Sequence, residues 1–148
     1  LLEFCEDFEY TPVIFNANQT VNFKREAIYH TNVMMCLAET FAVICLGSID
    51  DKKERKNVLK HLKEDGKKII EISEDQVDSF AGNMLQVRGT KDELFLVMSQ
   101  AAYDSLTTSQ IAQINNHCKI ISSSLDTIVA CGGGSARCMM AEVFLPKV

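Results

Sequence analysis

A chain of 148 residues with 47% hydrophobic and 24% charged side chains has globular composition and enough length to bury one core. Its net charge of −5, from 20 acidic and 15 basic residues, excludes the clustered positive field that nucleic-acid binding requires. No apolar run reaches the roughly 18 residues of a membrane span, and no charged start with an apolar middle marks a secretory leader; the expectation is a cytoplasmic protein with no membrane partner.

The first segment, LLEFCEDFEY, lacks a Met and places Leu1, Leu2, Cys5 and Phe8 on one helical face, so it reads as the continuation of a helix from a longer protein. TPVIFNA, residues 11–17, follows as a strand, and the glycosylation-like triplet from Asn18 to Thr20 reads as a polar turn. From Asn32, NVMMCLAETFAVICLGS predicts two apolar strands joined by a turn at residues 38–40. The next stretch interleaves Lys and Arg with acids, the pattern of a solvated helix face. Asp51 and Glu54 have capping-box spacing there, Val58, Leu59 and Leu62 form the stripe, and Gly66 suits the left-handed position past the end. KKIIEIS returns as a strand.

The same order then recurs. NMLQVRGTKDELFLVMS predicts a strand pair, SLTTSQIAQINNH a helix with Thr107 and Gln110 at capping-box spacing and a Leu106–Ile111 staple, and KIISSS a closing strand. A further unit starts at DTIVACGGGSARCMMAEVF. The expected organisation is a partial unit at 1–29, ββαβ units at 30–73 and 80–124, and a partial unit at 125–148. The apolar strands suit sheets covered on both faces, and such units need neighbours to bury them.

Six cysteines without a CxxC pair, mostly inside apolar runs, point to reduced thiols. Polar groups interrupt apolar sequence at three junctions, each expected at the start of a strand: YHTNV, FAGNML and GGGSARCMM. His30 and Cys138 together are what nucleophilic thiol chemistry requires, since a thiolate attacks while an imidazole manages protons. The glycines at 132–134 allow close backbone approach to a substrate. The bland alternative is a buried inert cysteine beside a loop, with His30 a structural residue before a strand. His61 lies on the charged helix and His117 near helix-end carbonyls. Metal-ligand spacings and phosphate-binding glycine motifs are absent from the sequence, so neither metal nor cofactor is expected.

The ordered set YHTNVMMCL, FAGNMLQV and GGGSARCMMAEVFLP resembles the C-terminal half of the guanidino-group-modifying, or pentein, superfamily, in wording closest to its bacterial amidinotransferase-like branch, where citrulline-utilisation hydrolases are placed. The resemblance implies an α/β fold, a fan of five ββαβ units around a pseudo-fivefold axis, present here as an incomplete C-terminal portion. It implies Cys138 as the nucleophile on the central carbon of a guanidinium or ureido group, giving a thiouronium-type adduct, and His30 as general acid/base. Asn83 matches a junction asparagine, either positioning substrate or making a turn, and Gly133 and Gly134 fall beside the nucleophile as substrate-binding backbone. Relatives carry an acid two residues after the His; here Asn32 stands there, which fits a neutral ureido substrate or merely caps a turn. The family's other substrate-binding carboxylates belong to an N-terminal half, the expected partner of this chain. Homo-oligomerisation is open, as are transfer of the amidino group to an amine and a non-catalytic pentein-like binding module.

Overall fold

The computed structural model describes residues 1–143. The end of the last apolar run, residues 144–148, lies outside the described residues. The first element is a short helix, α1 (Leu2–Asp7), which buries Cys5. Residues 11–17, expected as a strand, have no strand partner. Val13, Phe15 and Ala17 alternate onto the core, but the Asn16 N–H donates to the Glu54 carboxylate (2.7 Å) instead of a neighbouring backbone. Alternation buries a face; only a partner's carbonyls make a sheet.

The expected polar turn at Asn18 is also corrected. It begins strand β1 (Asn18–Val21), which pairs antiparallel with β2 (Lys24–Ala27). Asn22 (φ 48°) and Phe23 (φ 62°) make the tight turn, and two left-handed central residues match the twist of a hairpin. Arg25 ties the hairpin down, donating to Asp50 and Glu74 at 2.6 Å each.

The first ββαβ unit follows: β3 (Met35–Leu37), β4 (Phe41–Ile44), α2 (Lys52–Glu64) and β5 (Lys68–Glu71). β4 is central, antiparallel to β3 and parallel to β5. Its four residues are apolar and fully buried, as a strand covered on both faces must be. Asp51 caps α2 by accepting from the Lys53 and Glu54 N–H groups, and Val58 and Leu62 are its buried stripe. Gly66, at φ 72°, takes the expected left-handed position. A short helix, α3 (Glu74–Asp78), then begins in a complete capping box between Ser73 and Gln76.

The second unit repeats this pairing with β6 (Leu85–Arg88), β7 (Leu94–Ser99) and β8 (Lys119–Ser123). Its crossover holds two helices, α4 (Gln100–Ser105) and α5 (Thr108–Asn115), where the sequence reading had one. Ser99 caps the first and the Thr107–Gln110 capping box starts the second. The side chains of Gln76 and Gln110 also bond each other, at 2.7 and 3.0 Å, so the two capping boxes lock together. A single buried cluster runs through both units from Met34 to Cys118. His117 shares a hydrogen bond with the Thr40 hydroxyl (2.8 Å) rather than with helix-end carbonyls, while His61 bonds the Asn57 carbonyl (2.9 Å).

The chain continues into α6 (Asp126–Gly132) and a 3₁₀ turn, Ala136–Met139. The third junction, expected at the start of a strand, therefore lies between a helix and a 3₁₀ turn, with residues 140–143 irregular. Among the described residues no helix is long and apolar enough to cross a membrane.

Candidate active site

Cys138 is placed by a sharp change of chain direction. α6 ends at Gly133, whose φ of 64° is the left-handed conformation that glycine adopts at little cost. Gly134 then passes so close to the cysteine that an added Cβ would lie 3.0 Å from Cys138 Cβ and 3.2 Å from its Sγ. Ser135 is buried and its carbonyl accepts from the Cys138 N–H (3.1 Å), closing the 3₁₀ turn that presents the thiol. The Arg137 guanidinium turns away from the thiol, donating to the Met140 carbonyl (3.1 Å) and Glu142 (3.3 Å). Glu142 thus pairs with a cation.

Asn83 joins the three junctions. It is only 2% exposed, and its Oδ1 accepts from the Arg137 N–H (3.1 Å). That bond fixes which way the amide points, since only an oxygen can accept there. Nδ2 then donates to Cys138 Sγ (3.2 Å) and to the Asn32 carbonyl (3.1 Å). The sulfur thus accepts from a buried amide. Asn83 is itself held by its neighbour, because a Cβ on Gly82 would sit 2.4 Å from the Val33 carbonyl oxygen. Only glycine lets this strand start lie against the one before it.

His30 is one bond further out. It caps a 3₁₀ turn, Thr31–Val33, and its Nδ1 accepts from the Asn32 N–H (3.1 Å). The neutral ring in this geometry therefore carries its proton on Nε2. Full protonation needs the ring to leave that bond. Asn32 contributes its main chain on both sides, donating to His30 and accepting from Asn83, and its side chain makes no hydrogen bond among the described residues.

A cavity of about 210 Å³ opens at Cys138. Gly133, Gly134 and Asn83 line it with the cysteine; His30 and Asn32 do not, although their neighbours Tyr29 and Val33 do. Sequence reasoning missed Gln19, Val77, Asp78 and Phe80, which complete the wall. The FAGNML junction already contained Phe80, but nothing in sequence tied Gln19 or Asp78 to it. A larger groove of about 600 Å³ lies beside β6 and residues 140–143. It contains no Cys or His, and its acids are engaged, Glu39 by Arg88 (2.9 Å) and Glu142 by Arg137. The smaller cavity holds the candidate nucleophile.

Cysteine environments narrow the nucleophile further. Cys5, Cys36, Cys45 and Cys118 are buried. Burial pushes the Cys36 thiol up to about 12, only partly opposed by the Arg137 charge, and burial raises Cys118 as well. Burial of this kind leaves Cys36 and Cys118 inert. Cys131 and Cys138 are the exposed pair, and of these Cys138 holds the Asn83 donor.

Comparison with known proteins reaches the same superfamily as the three motifs. The model of the family described as N,N dimethylarginine dimethylhydrolase, eukaryotic, matches residues 1–145. No curated protein gives a significant match. Among solved structures, the apo form of ArgZ, an arginine dihydrolase of the ornithine-ammonia cycle in cyanobacteria, aligns with a TM-score of 0.55 at 18% identity over 75% of this chain. This chain spans 15% of that protein, and at such identity the likeness shows the fold. The matching family is thus a dimethylarginine one, where the motif wording alone pointed to the amidinotransferase-like branch. The chain belongs to the N,N dimethylarginine dimethylhydrolase family, within the α/β pentein superfamily.

Proposed function

We propose that this chain carries the nucleophile-bearing part of a hydrolase that cleaves a guanidino or ureido C–N bond, with Cys138 as nucleophile and His30 as the proton-transfer group. The single observation that carries the reading is the Asn83 amide, fixed by the Arg137 N–H and donating to Cys138 Sγ at 3.2 Å. Asn83 also ties the Asn32 and Arg137 backbones together, and what supports the chemical reading is that the same amide donates to a sulfur lining a cavity.

In the proposed reaction the thiolate forms a C–S bond to the central carbon of the substrate. The C–N bond to the departing amine breaks as protonated His30 supplies that nitrogen with a proton, leaving a thiouronium-type adduct. Water then adds to the same carbon, His30 takes its proton, the C–S bond breaks and the thiolate returns. The products are an amine and a ureido compound when the substrate is a guanidinium. His30 must exchange its bond to the Asn32 N–H for this work, so the 3₁₀ turn it caps is expected to shift when substrate binds.

The rest of the site, including the carboxylates that oppose the substrate, is proposed to lie on a preceding part of the same domain. The segments 1–29 and 125–148 are read as partial units flanking the two complete ones. Free thiols throughout the described residues fit a cytoplasmic location.

Thiol labelling and turnover of the full-length protein test the assignment. A haloacetamidine should alkylate Cys138 ahead of Cys131, the other exposed thiol, and Cys138→Ala should lower turnover by about 1,000-fold or more at unchanged thermal stability. Equal labelling of the two thiols, or turnover by the Ala variant near the parent level, overturns it.

A further inference from the structure

Within the cavity at Cys138, one side chain has a formal charge and no partner. Asp78 is the single charged residue among the described residues that line it. Two other groups of its short helix are engaged, Glu74 by Arg25 at 2.6 Å and Gln76 by Gln110 at 2.7 Å. No hydrogen bond or ion pair among the described residues reaches the Asp78 carboxylate. It closes α3, at the carbonyl end of the helix, where a negative side chain gains nothing from the backbone.

The chain beside it is held at some cost. Phe80, two residues on, has a left-handed backbone (φ 64°) although it is not glycine. The bond from its N–H to the Val77 carbonyl (2.8 Å) and the bond from the Asn83 N–H to its own carbonyl (2.9 Å) keep it there. Non-glycine residues in this region concentrate where a surface must be shaped for a ligand. Here the turn sets the Phe80 ring and the Asp78 carboxylate on the same cavity as Cys138, and Tyr29 supplies a second aromatic wall. One unpaired carboxylate on a cavity that Tyr29 and Phe80 also line is a receptor for a cation, which the acid meets by charge and the rings by their electron-rich faces.

From this geometry we infer that Asp78 is a specificity-determining residue, receiving a positively charged nitrogen group of the substrate whose reacting carbon lies at Cys138. The inference rests on the hydrolase reading and sharpens it toward a cationic substrate, against the neutral one that Asn32 favours in sequence. Two groups on an arginine-like molecule share the required chemistry, the guanidinium itself and the α-ammonium.

The test compares full-length protein with its Asp78→Asn and Asp78→Glu variants on L-arginine, L-citrulline and 5-guanidinopentanoate, which is arginine without its α-ammonium. Asp78→Asn should lower kcat/KM for L-arginine about 10-fold, mainly through KM, and Asp78→Glu should restore part of the loss. A loss shared by L-arginine and 5-guanidinopentanoate but not by L-citrulline identifies the guanidinium. Loss shared by L-arginine and L-citrulline alone identifies the ammonium. An equal loss on all three, or none, overturns the inference. Calorimetric binding of L-arginine to the Cys138→Ala protein reads Asp78 separately from catalysis: adding Asp78→Asn should weaken Kd about 10-fold, less at high salt. A Kd unchanged by the second substitution, or no binding of L-arginine to either protein, would overturn the role of Asp78 even where the nucleophile assignment stands.

Discussion

The two ββαβ units share an order of elements and differ in burial. In the first, all four residues of central strand β4 are inaccessible, whereas its counterpart β7 leaves Leu94, Phe95 and Val97 partly open and the outer strand β8 alternates between exposed and half-buried residues. The difference follows from neighbours. The first unit is held by the hairpin through Arg25, by residues 11–17 through Asn16, and by the second unit through the Gln76–Gln110 pair. The second unit meets the first and, through β7, the 3₁₀ turn that carries Cys138. Equal topology does not imply equal stability in a repeat, because each unit's apolar faces are buried by what stands next to it.

Paired truncations should show the largest effect. Phe41→Ala, in the fully covered strand, should cost about 3–5 kcal/mol, and Phe95→Ala, at the matching strand of the second unit, about 1–2 kcal/mol. Denaturant unfolding of the two variants measures the gap. Equal losses would break the comparison by showing that burial in this chain does not track unit position.

The contact between units comes next in size. Gly82→Ala places a methyl against the Val33 carbonyl, which is backbone and cannot turn aside. A loss of about 2–3 kcal/mol is expected, with slower alkylation of Cys138, because Asn83 moves with its neighbour. Lost stability with unchanged alkylation would separate the strand contact from the thiol's environment.

The hairpin clamp should give the smallest effect, and one that depends on pH. Hydrogen bonding from Arg25 lowers Asp50 below its ordinary value. For Glu74, burial alone acts upward, but hydrogen bonds from Arg25 and Thr20 outweigh it and leave that carboxyl lowered too. Depressed folded values stabilise the fold above the unfolded carboxylate range, near about pH 4, and that contribution is lost as pH falls through the folded values. Arg25→Ala should therefore lower the melting temperature slightly at neutral pH, and the difference from the parent should vanish in acid. A difference that persists at low pH would assign Arg25 a packing role instead.

Local signals were the legible part of the fold. Asp51 and Thr107 cap the helices they were expected to cap, Gly66 takes its left-handed turn, and both strand pairs form where apolar runs flank short turns. The same signal was present and unused at Ser73 and Gln76, which start α3 with identical spacing. Residues 11–17 misled because their alternation describes which side is buried, not whether a strand lies alongside.

At the site, the sequence by itself determined the chemical inventory: a cysteine after a glycine run, a histidine and an asparagine at strand starts, and motifs specific enough to indicate the superfamily. These are properties of residue type and spacing, which survive without coordinates. The tertiary structure decided which groups meet. Asn83 reaches the sulfur because Gly82 lets two strand starts touch and the Arg137 N–H orients its amide. His30 spends its Nδ1 on a local cap, and Asp78 enters the cavity through the left-handed turn at Phe80. Such meetings depend on close approach between residues more than fifty positions apart, and no local propensity or periodicity encodes them.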